Sequence, residues 1–226
     1  MLDWFLSIVA PHHCCGCGKV GGLLCSHCRN NIISEPYDVC MNCGLQAWRD
    51  GVCDRCRVDY QKAWIVGPYH ETLGSIVRQV KFDAARAGLD EITRLIADRL
   101  PVLPDDVCIV PIPTIRRHIR LRGFDHTNYI ARRLSRLKGL PVARRLERRH
   151  NAVQVGASRS RRRKQAREAF CLVGIIDPTL TYLLVDDVVT TGASMREAAK
   201  ILRKGGARNV WAVCLAREAL DGGDNI

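Results

Sequence analysis

Apolar residues recur along this chain in two alternating rhythms. The run at 64–69, with Trp64, Ile65, Val66 and Tyr69, predicts a first strand. Leu73, Ile76, Val77 and Val80 then fall on one helical face. Leu89, Ile92, Leu95, Ile96 and Leu100 fall on another, which Pro101 closes. The run Val107-Cys-Ile-Val110 predicts a short buried strand ending at Pro111-Ile112-Pro113. The spacing predicts a helix over 128–137, strands over 170–176 and 182–185, a helix over 194–204 ending at Gly205-Gly206, and a last strand over 210–215. Strand and helix in alternation specify an α/β fold built on a mostly parallel sheet. In such sheets ligands gather at the carboxyl ends of the strands. Cys108, Cys171 and Cys214 lie within the apolar runs and are expected in the core.

Ahead of residue 64 that rhythm is missing. Trp4, Phe5, Ile8 and Val9 fit a short amphipathic helix over 1–10. Asp3, the absence of a basic flank and the following Pro11 argue against a signal peptide. Cysteine then takes over. Nine of the 12 lie at or before Cys56, eight of them as four C-x-x-C pairs: Cys14 and Cys17, Cys25 and Cys28, Cys40 and Cys43, Cys53 and Cys56. A two-residue gap lets a tight turn present two sulfurs to one ion, and zinc takes four such ligands in a tetrahedron. Four pairs within 43 residues outweigh a redox reading, and without export metal is favoured over disulfides. Two structural zinc sites are expected, with neighbouring pairs sharing an ion. The spacing does not exclude a cross-braced pairing of the first pair with the third. Cys15, His12 and His13 are read as bystanders. Gly18 and Gly44 follow the second cysteine of their pairs, where a knuckle turn calls for positive φ. The change of rhythm near 57–62 divides the chain into a double zinc-ribbon domain at 1–60 and an α/β domain at 61–226. The chain is expected in the cytoplasm.

The composition is that of a folded chain: 47% of the 226 residues are hydrophobic. The net charge of +12 is unevenly placed. From Arg116 to Arg167 there are 18 Lys and Arg against Asp125 and Glu147, a local +16 that leaves −4 for the rest. Such a block calls for anionic partners, and no stretch of ~20 apolar residues is present to span a bilayer.

The most specific motif is Tyr182-Leu-Leu-Val-Asp186-Asp187-Val-Val-Thr190-Thr191-Gly192-Ala193-Ser194. An apolar strand delivers two adjacent carboxylates to the sheet edge. The hydroxyls and free N–H groups of the next loop, opening a helix, suit a phosphate. The carboxylates cannot serve the phosphate itself; they suit sugar hydroxyls or a metal. No G-K-[ST] is present, so this is not a Walker loop. The segment resembles the PRPP (phosphoribosyl pyrophosphate) loop of type I phosphoribosyltransferases. Together with the cysteine-rich front end, nearly the whole chain resembles the ComF (competence protein F) family. Further points of resemblance are the start Leu2-Asp3-x-x-Leu6 with Pro11-x-x-Cys14-x-x-Cys17-Gly18, then Val110-Pro-Ile-Pro113, Arg122-Gly123-Phe124, Gln154, and Arg162 with Phe170.

The resemblance implies a type I phosphoribosyltransferase-like fold with an N-terminal double zinc ribbon. It implies that Asp186 and Asp187 hydrogen-bond the ribose hydroxyls and that Thr190, Thr191, Gly192, Ala193 and Ser194 cradle the 5′-phosphate. Pro113, Thr114 and Arg122 would lie on the pyrophosphate side, with Mg²⁺ bridging pyrophosphate and ribose. No catalytic side chain is named, since the chemistry is mostly positioning and neutralisation of the leaving group. The chain departs from the family at Asp125-His126, where Asn-Gln is usual, and at Asn151 and Gln165. These departures are expected away from the PRPP loop, on the second-substrate side.

One ligand cannot use 18 cations. A phosphate track for single-stranded DNA along Arg116 to Arg167 would use more of them, with a steep salt dependence. Arg132, Arg133 and Arg136 read instead as a solvated helix face, and Phe124, Tyr129 and Phe170 are too few for a stacking platform. Two functions follow: a PRPP-binding protein linked to DNA uptake, with single-stranded DNA or an uptake protein as partner, or an active Mg²⁺-dependent, amidophosphoribosyltransferase-like enzyme.

Overall fold

A computed structural model describes residues 13–47, 50–82, 86–148 and 170–219. The helix expected over 1–10, Gln154, Asn151, Gln165 and the arginines from Arg159 to Arg167 lie outside these residues.

Four parallel strands form the main sheet: β1 (Lys62–Pro68), β2 (Val107–Pro111), β5 (Thr181–Val189) and β6 (Asn209–Arg217), in the spatial order β1-β6-β5-β2. Their alternation explains the apolar runs. Val107, Ile109, Leu183, Val185, Val213 and Leu215 point to one face. Cys108, Val110, Tyr182, Leu184, Ala212 and Cys214 point to the other. Both faces are covered, so both sets are apolar. The first face carries α2 (Glu71–Phe82), α3 (Arg86–Arg99) and α5 (His126–Lys138) through Leu73, Ile76, Leu89, Ile92, Leu95, Ile130 and Leu134. The second carries α6 (Ala193–Lys204) through Met195, Ala198, Ala199 and Leu202. β2 is an edge strand, which tolerates the missing N–H of Pro111.

The front end is packed onto this layer structure. Cys14 and Leu24 belong to the α2–α3 side of the core, while Met41 and Tyr60 belong to the α6 side. The helix α1 (Ser26–Ser34) starts at the second C-x-x-C pair, where the Cys25 sulfur accepts from the Cys28 N–H.

Three elements escape the hydrophobic pattern. α1 and α4 (Arg116–Arg122) bury no residue and so show no apolar stripe. β3 (Leu146–Arg148) is three residues long. The expected strand at 170–176 contracts to β4 (Phe170–Leu172), which pairs antiparallel with β3 in a separate two-stranded sheet. Cys171 is accordingly half-buried and not a core residue, because one face of so small a sheet stays open.

Candidate functional site

β5 runs past the expected 182–185, and Asp186 and Asp187 are part of the strand, Asp186 in register with Cys214. Each carboxylate is held locally. Asp186 Oδ1 accepts from the Asp187 N–H at 2.9 Å, and Asp187 Oδ1 from the Val188 N–H at 2.8 Å. Thr190 and Thr191 follow, both exposed. Gly192 is the N-cap of α6 with φ +69°, a conformation that costs an L side chain ~1–2 kcal/mol. Ala193 opens α6, and exposed Ser194 sits in its first turn. The loop thus meets a helix N-terminus with its hydroxyls in solvent.

Across from it lies the turn after β2. A cavity of about 160 Å³ brings together Asp186, Asp187 and Ser194 from one side, and Pro113, Thr114, Arg122, His126 and Arg148 from the other. Among the residues expected on the pyrophosphate side, Pro113, Thr114 and Arg122 all line it. Thr190, Thr191, Gly192 and Ala193 are not among its lining. The Thr114 hydroxyl is engaged within the protein: it donates to Asp125 Oδ1 at 2.9 Å and lies 2.7 Å from the Thr127 hydroxyl. Thr127 in turn reaches the Ile112 carbonyl at 2.9 Å, and Asp125 caps α5 by accepting from the Asn128 N–H. This network fixes the turn at 112–114.

The departure Asp125-His126 is not remote from the loop, contrary to expectation. His126 is buried, and its Nε2 lies 3.2 Å from Asp187 Oδ2. Its Nδ1 lies 3.2 Å from Arg122 Nη1. A guanidinium can only donate, so Nδ1 accepts, and a neutral ring then carries its proton on Nε2, facing the carboxylate. The chain Arg122–His126–Asp187 joins both walls because α4 and α5 are consecutive helices folded over the β2 end.

Arg148 is the other residue that periodicity missed. Its Nε donates to the Pro113 carbonyl at 2.9 Å and its guanidinium stacks over Phe170 at 4.9 Å. Burial lowers its pKa, against the opposing pull of Asp186. The cavity therefore sets two arginines against two carboxylates, an arrangement for an anion held next to hydroxyls or a cation. A larger cavity of about 380 Å³ between α1 and the β1–α2 turn is lined by Glu35, His70 and Glu71 but no lysine or arginine. Its charge disfavours a phosphate.

The cysteines form two groups, Cys14, Cys17, Cys25, Cys28 and Cys40, Cys43, Cys53, Cys56, each with its sulfurs within 4.8 Å of one another. Neighbouring pairs combine, as favoured; the cross-braced pairing is not adopted. Cys17 and Cys25 sulfurs are 3.7 Å apart and those of Cys43 and Cys53 3.5 Å. A tetrahedral zinc with ~2.3 Å bonds needs sulfurs about 3.8 Å apart, so the donor sets fit such an ion. Gly44 has φ +76°, as a knuckle requires. Cys15 and His13 stay outside both groups.

No protein-family profile matches the chain. Curated proteins do. Competence protein F of Haemophilus influenzae is 31% identical over 208 residues, 86% of this chain and 90% of that protein. The chain belongs to the ComF family. DNA utilization protein YhgH of Salmonella typhi is 33% identical over 211 residues, and that of Escherichia coli K12 31% over 211, each alignment covering 86% of this chain and 90% of the relative. Among solved structures, a purine phosphoribosyltransferase from Pyrococcus horikoshii aligns over 57% of this ComF chain and 72% of its own, at 19% identity and TM-score 0.39. An allosteric regulatory enzyme of purine biosynthesis aligns over 56% and 25%, at 19% and 0.41.

In this ComF chain the basic segment is divided. Arg133 pairs with Asp90 on α3 at 3.1 Å, in keeping with a structural helix face. α4 instead buries nothing: Arg116, Arg117 and Arg120 are exposed, and Leu121 is 74% exposed. Among the described residues no helix is long and apolar enough to cross a membrane.

Proposed function

We propose that this ComF-family protein binds PRPP with Mg²⁺ at the carboxyl ends of β2 and β5 and acts in the handling of DNA taken up by the cell. One observation carries the ligand assignment: Asp186 and Asp187 share a cavity with Ser194 at the start of α6 and with Arg122 and Arg148. A phosphorylated sugar with a second phosphate group uses each part. Its hydroxyls take the carboxylates, its 5′-phosphate takes Thr190 to Ser194 at the helix N-terminus, and its pyrophosphate takes the arginine wall. Mg²⁺ would offset the charge between pyrophosphate and carboxylates. Zinc in the two four-cysteine groups would hold the front end folded.

The DNA role is supported by family membership and by α4, which carries the exposed Arg116, Arg117 and Arg120 on the same helix as the cavity-lining Arg122. The relatives are named for competence and DNA utilization, not for a transferase. A calorimetric titration with PRPP and Mg²⁺ tests the ligand. Wild type should bind, and the Asp186→Ala/Asp187→Ala variant should lose binding; equal binding by both would remove the assignment. Affinity for a single-stranded oligonucleotide should fall steeply as salt rises. Pyrophosphate release in the presence of candidate amines separates binding from turnover.

A further inference from the structure

The second four-cysteine group lies directly behind the phosphate loop. Its first knuckle, Cys40 to Gly44, presents Asn42 to both. Asn42 Nδ2 donates to the Cys56 sulfur at 3.1 Å. Asn42 Oδ1 is buried and has no hydrogen-bond partner among the described residues. A Cβ built on Gly192 would lie 3.0 Å from that oxygen and 3.1 Å from the Asn42 Cα. The loop backbone therefore rests so close on the knuckle that a methyl group there would push Asn42 back by a few tenths of an ångström. The knuckle is anchored in turn to the sheet. Arg217, at the end of β6, donates from Nε to the Met41 carbonyl and from Nη2 to the Asn42 carbonyl, both at 3.3 Å. The next residue ties β6 to β5, Glu218 N–H reaching the Val189 carbonyl at 2.9 Å, one position before Thr190.

A thiolate that accepts an N–H from a side chain is oriented by that donor, and such outer contacts govern how firmly the metal is held. Here the same side chain forms the floor of the loop. We propose that metal at Cys40, Cys43, Cys53 and Cys56 and phosphate at Thr190 to Ser194 are coupled through Asn42, each binding more tightly when the other is present. Asn42 is then a positioning residue for the phosphate loop. The first group, Cys14 to Cys28, packs on the opposite side of the core and, among the described residues, makes no such contact with the loop, so its metal should be indifferent to the ligand. The inference rests on the reading that this loop holds the phosphate of PRPP.

Reciprocity supplies the test, because a ligand that needs the metal must also retain it. The full-length zinc-loaded protein is challenged with a zinc-selective pyridyl chelator, with and without saturating PRPP and Mg²⁺. Released cysteines are alkylated at timed intervals and quantified one by one by mass spectrometry. PRPP should slow labelling of Cys40, Cys43, Cys53 and Cys56 by about fivefold or more, and leave Cys14, Cys17, Cys25 and Cys28 unchanged. Asn42→Ala should erase this selectivity and weaken PRPP binding by about tenfold. The wild-type comparison stands even if that variant does not fold. Calorimetric binding of PRPP without selective protection, or with equal protection of both groups, overturns the coupling and leaves the ligand assignment intact. Full protection in Asn42→Ala overturns the role of Asn42. No binding of PRPP to wild type overturns both readings.

Discussion

Arg217 is 2% exposed and holds the cysteine knuckle at 40–44 to the end of β6. Arg217→Met fills most of the same volume and removes the guanidinium. Its partners are the carbonyls of Met41 and Asn42 at 3.3 Å and of Glu218 at 2.9 Å. Hydrogen bonds to a charged donor contribute about 1.5–3 kcal/mol each, and the two long ones belong at the weak end, a gross loss of about 5 kcal/mol. Against this, a buried cation no longer has to be desolvated, which returns part of the loss. A net destabilisation of about 2–3 kcal/mol remains. For a chain of this length that lowers the melting temperature by about 4–12 °C. The assay is thermal unfolding of the zinc-loaded protein followed by circular dichroism, with metal content measured before heating. The second group should also surrender its zinc to a chelator sooner than in wild type. A drop below about 2 °C with unchanged metal retention would show that Arg217 does not fasten the knuckle. The close fit of Gly44 would then need another explanation, since a Cβ there would come within 2.6 Å of the Arg217 side chain.

Thr127→Val removes the hydroxyl that reaches the Ile112 carbonyl and Asp125 and should cost about 1–3 kcal/mol in urea unfolding, with weaker PRPP binding because the 112–114 turn loosens. Unchanged stability and affinity would contradict the part given to this network. Burial holds the Cys214 thiol well above its ordinary value of 9.0, with Asp186 and Asp187 adding to the effect. An acid whose folded pKa is raised keeps its proton while the unfolded chain loses it, so stability is full below pH 9.0 and declines as pH rises beyond it. Urea midpoints should fall between pH 8 and 10 in wild type and fall less in Cys214→Ala; parallel slopes would refute the assignment.

Much of the architecture was legible because it depends on short-range periodicity. The strands around Val107, Tyr182 and Val210, and the helices around Leu73, Leu89 and Leu134, bury one stripe or two faces, and burial writes itself into residue type. α1 and α4 bury nothing and left no mark. The four C-x-x-C pairs were legible because a metal knuckle is a local turn. The two carboxylates and the Thr-Thr-Gly-Ala-Ser loop were legible for the same reason, as a strand end followed by a helix start. His126 could have been found only as an unexplained departure at 125–126, and Arg148 carried no signal beyond being one cation in a basic block.

The sequence by itself determined the α/β class, the two sets of four thiols and the loop chemistry, since each is encoded within a few neighbouring residues. Tertiary structure alone decided which pairs of cysteines combine, that His126 faces Asp187, and that the cysteine knuckle at 40–44 lies under Gly192. Asn42 and Arg217 are 175 residues apart in the chain. No local pattern records such a contact, because it exists only once the edge strand β1 has docked on β6 and carried the front end against the sheet.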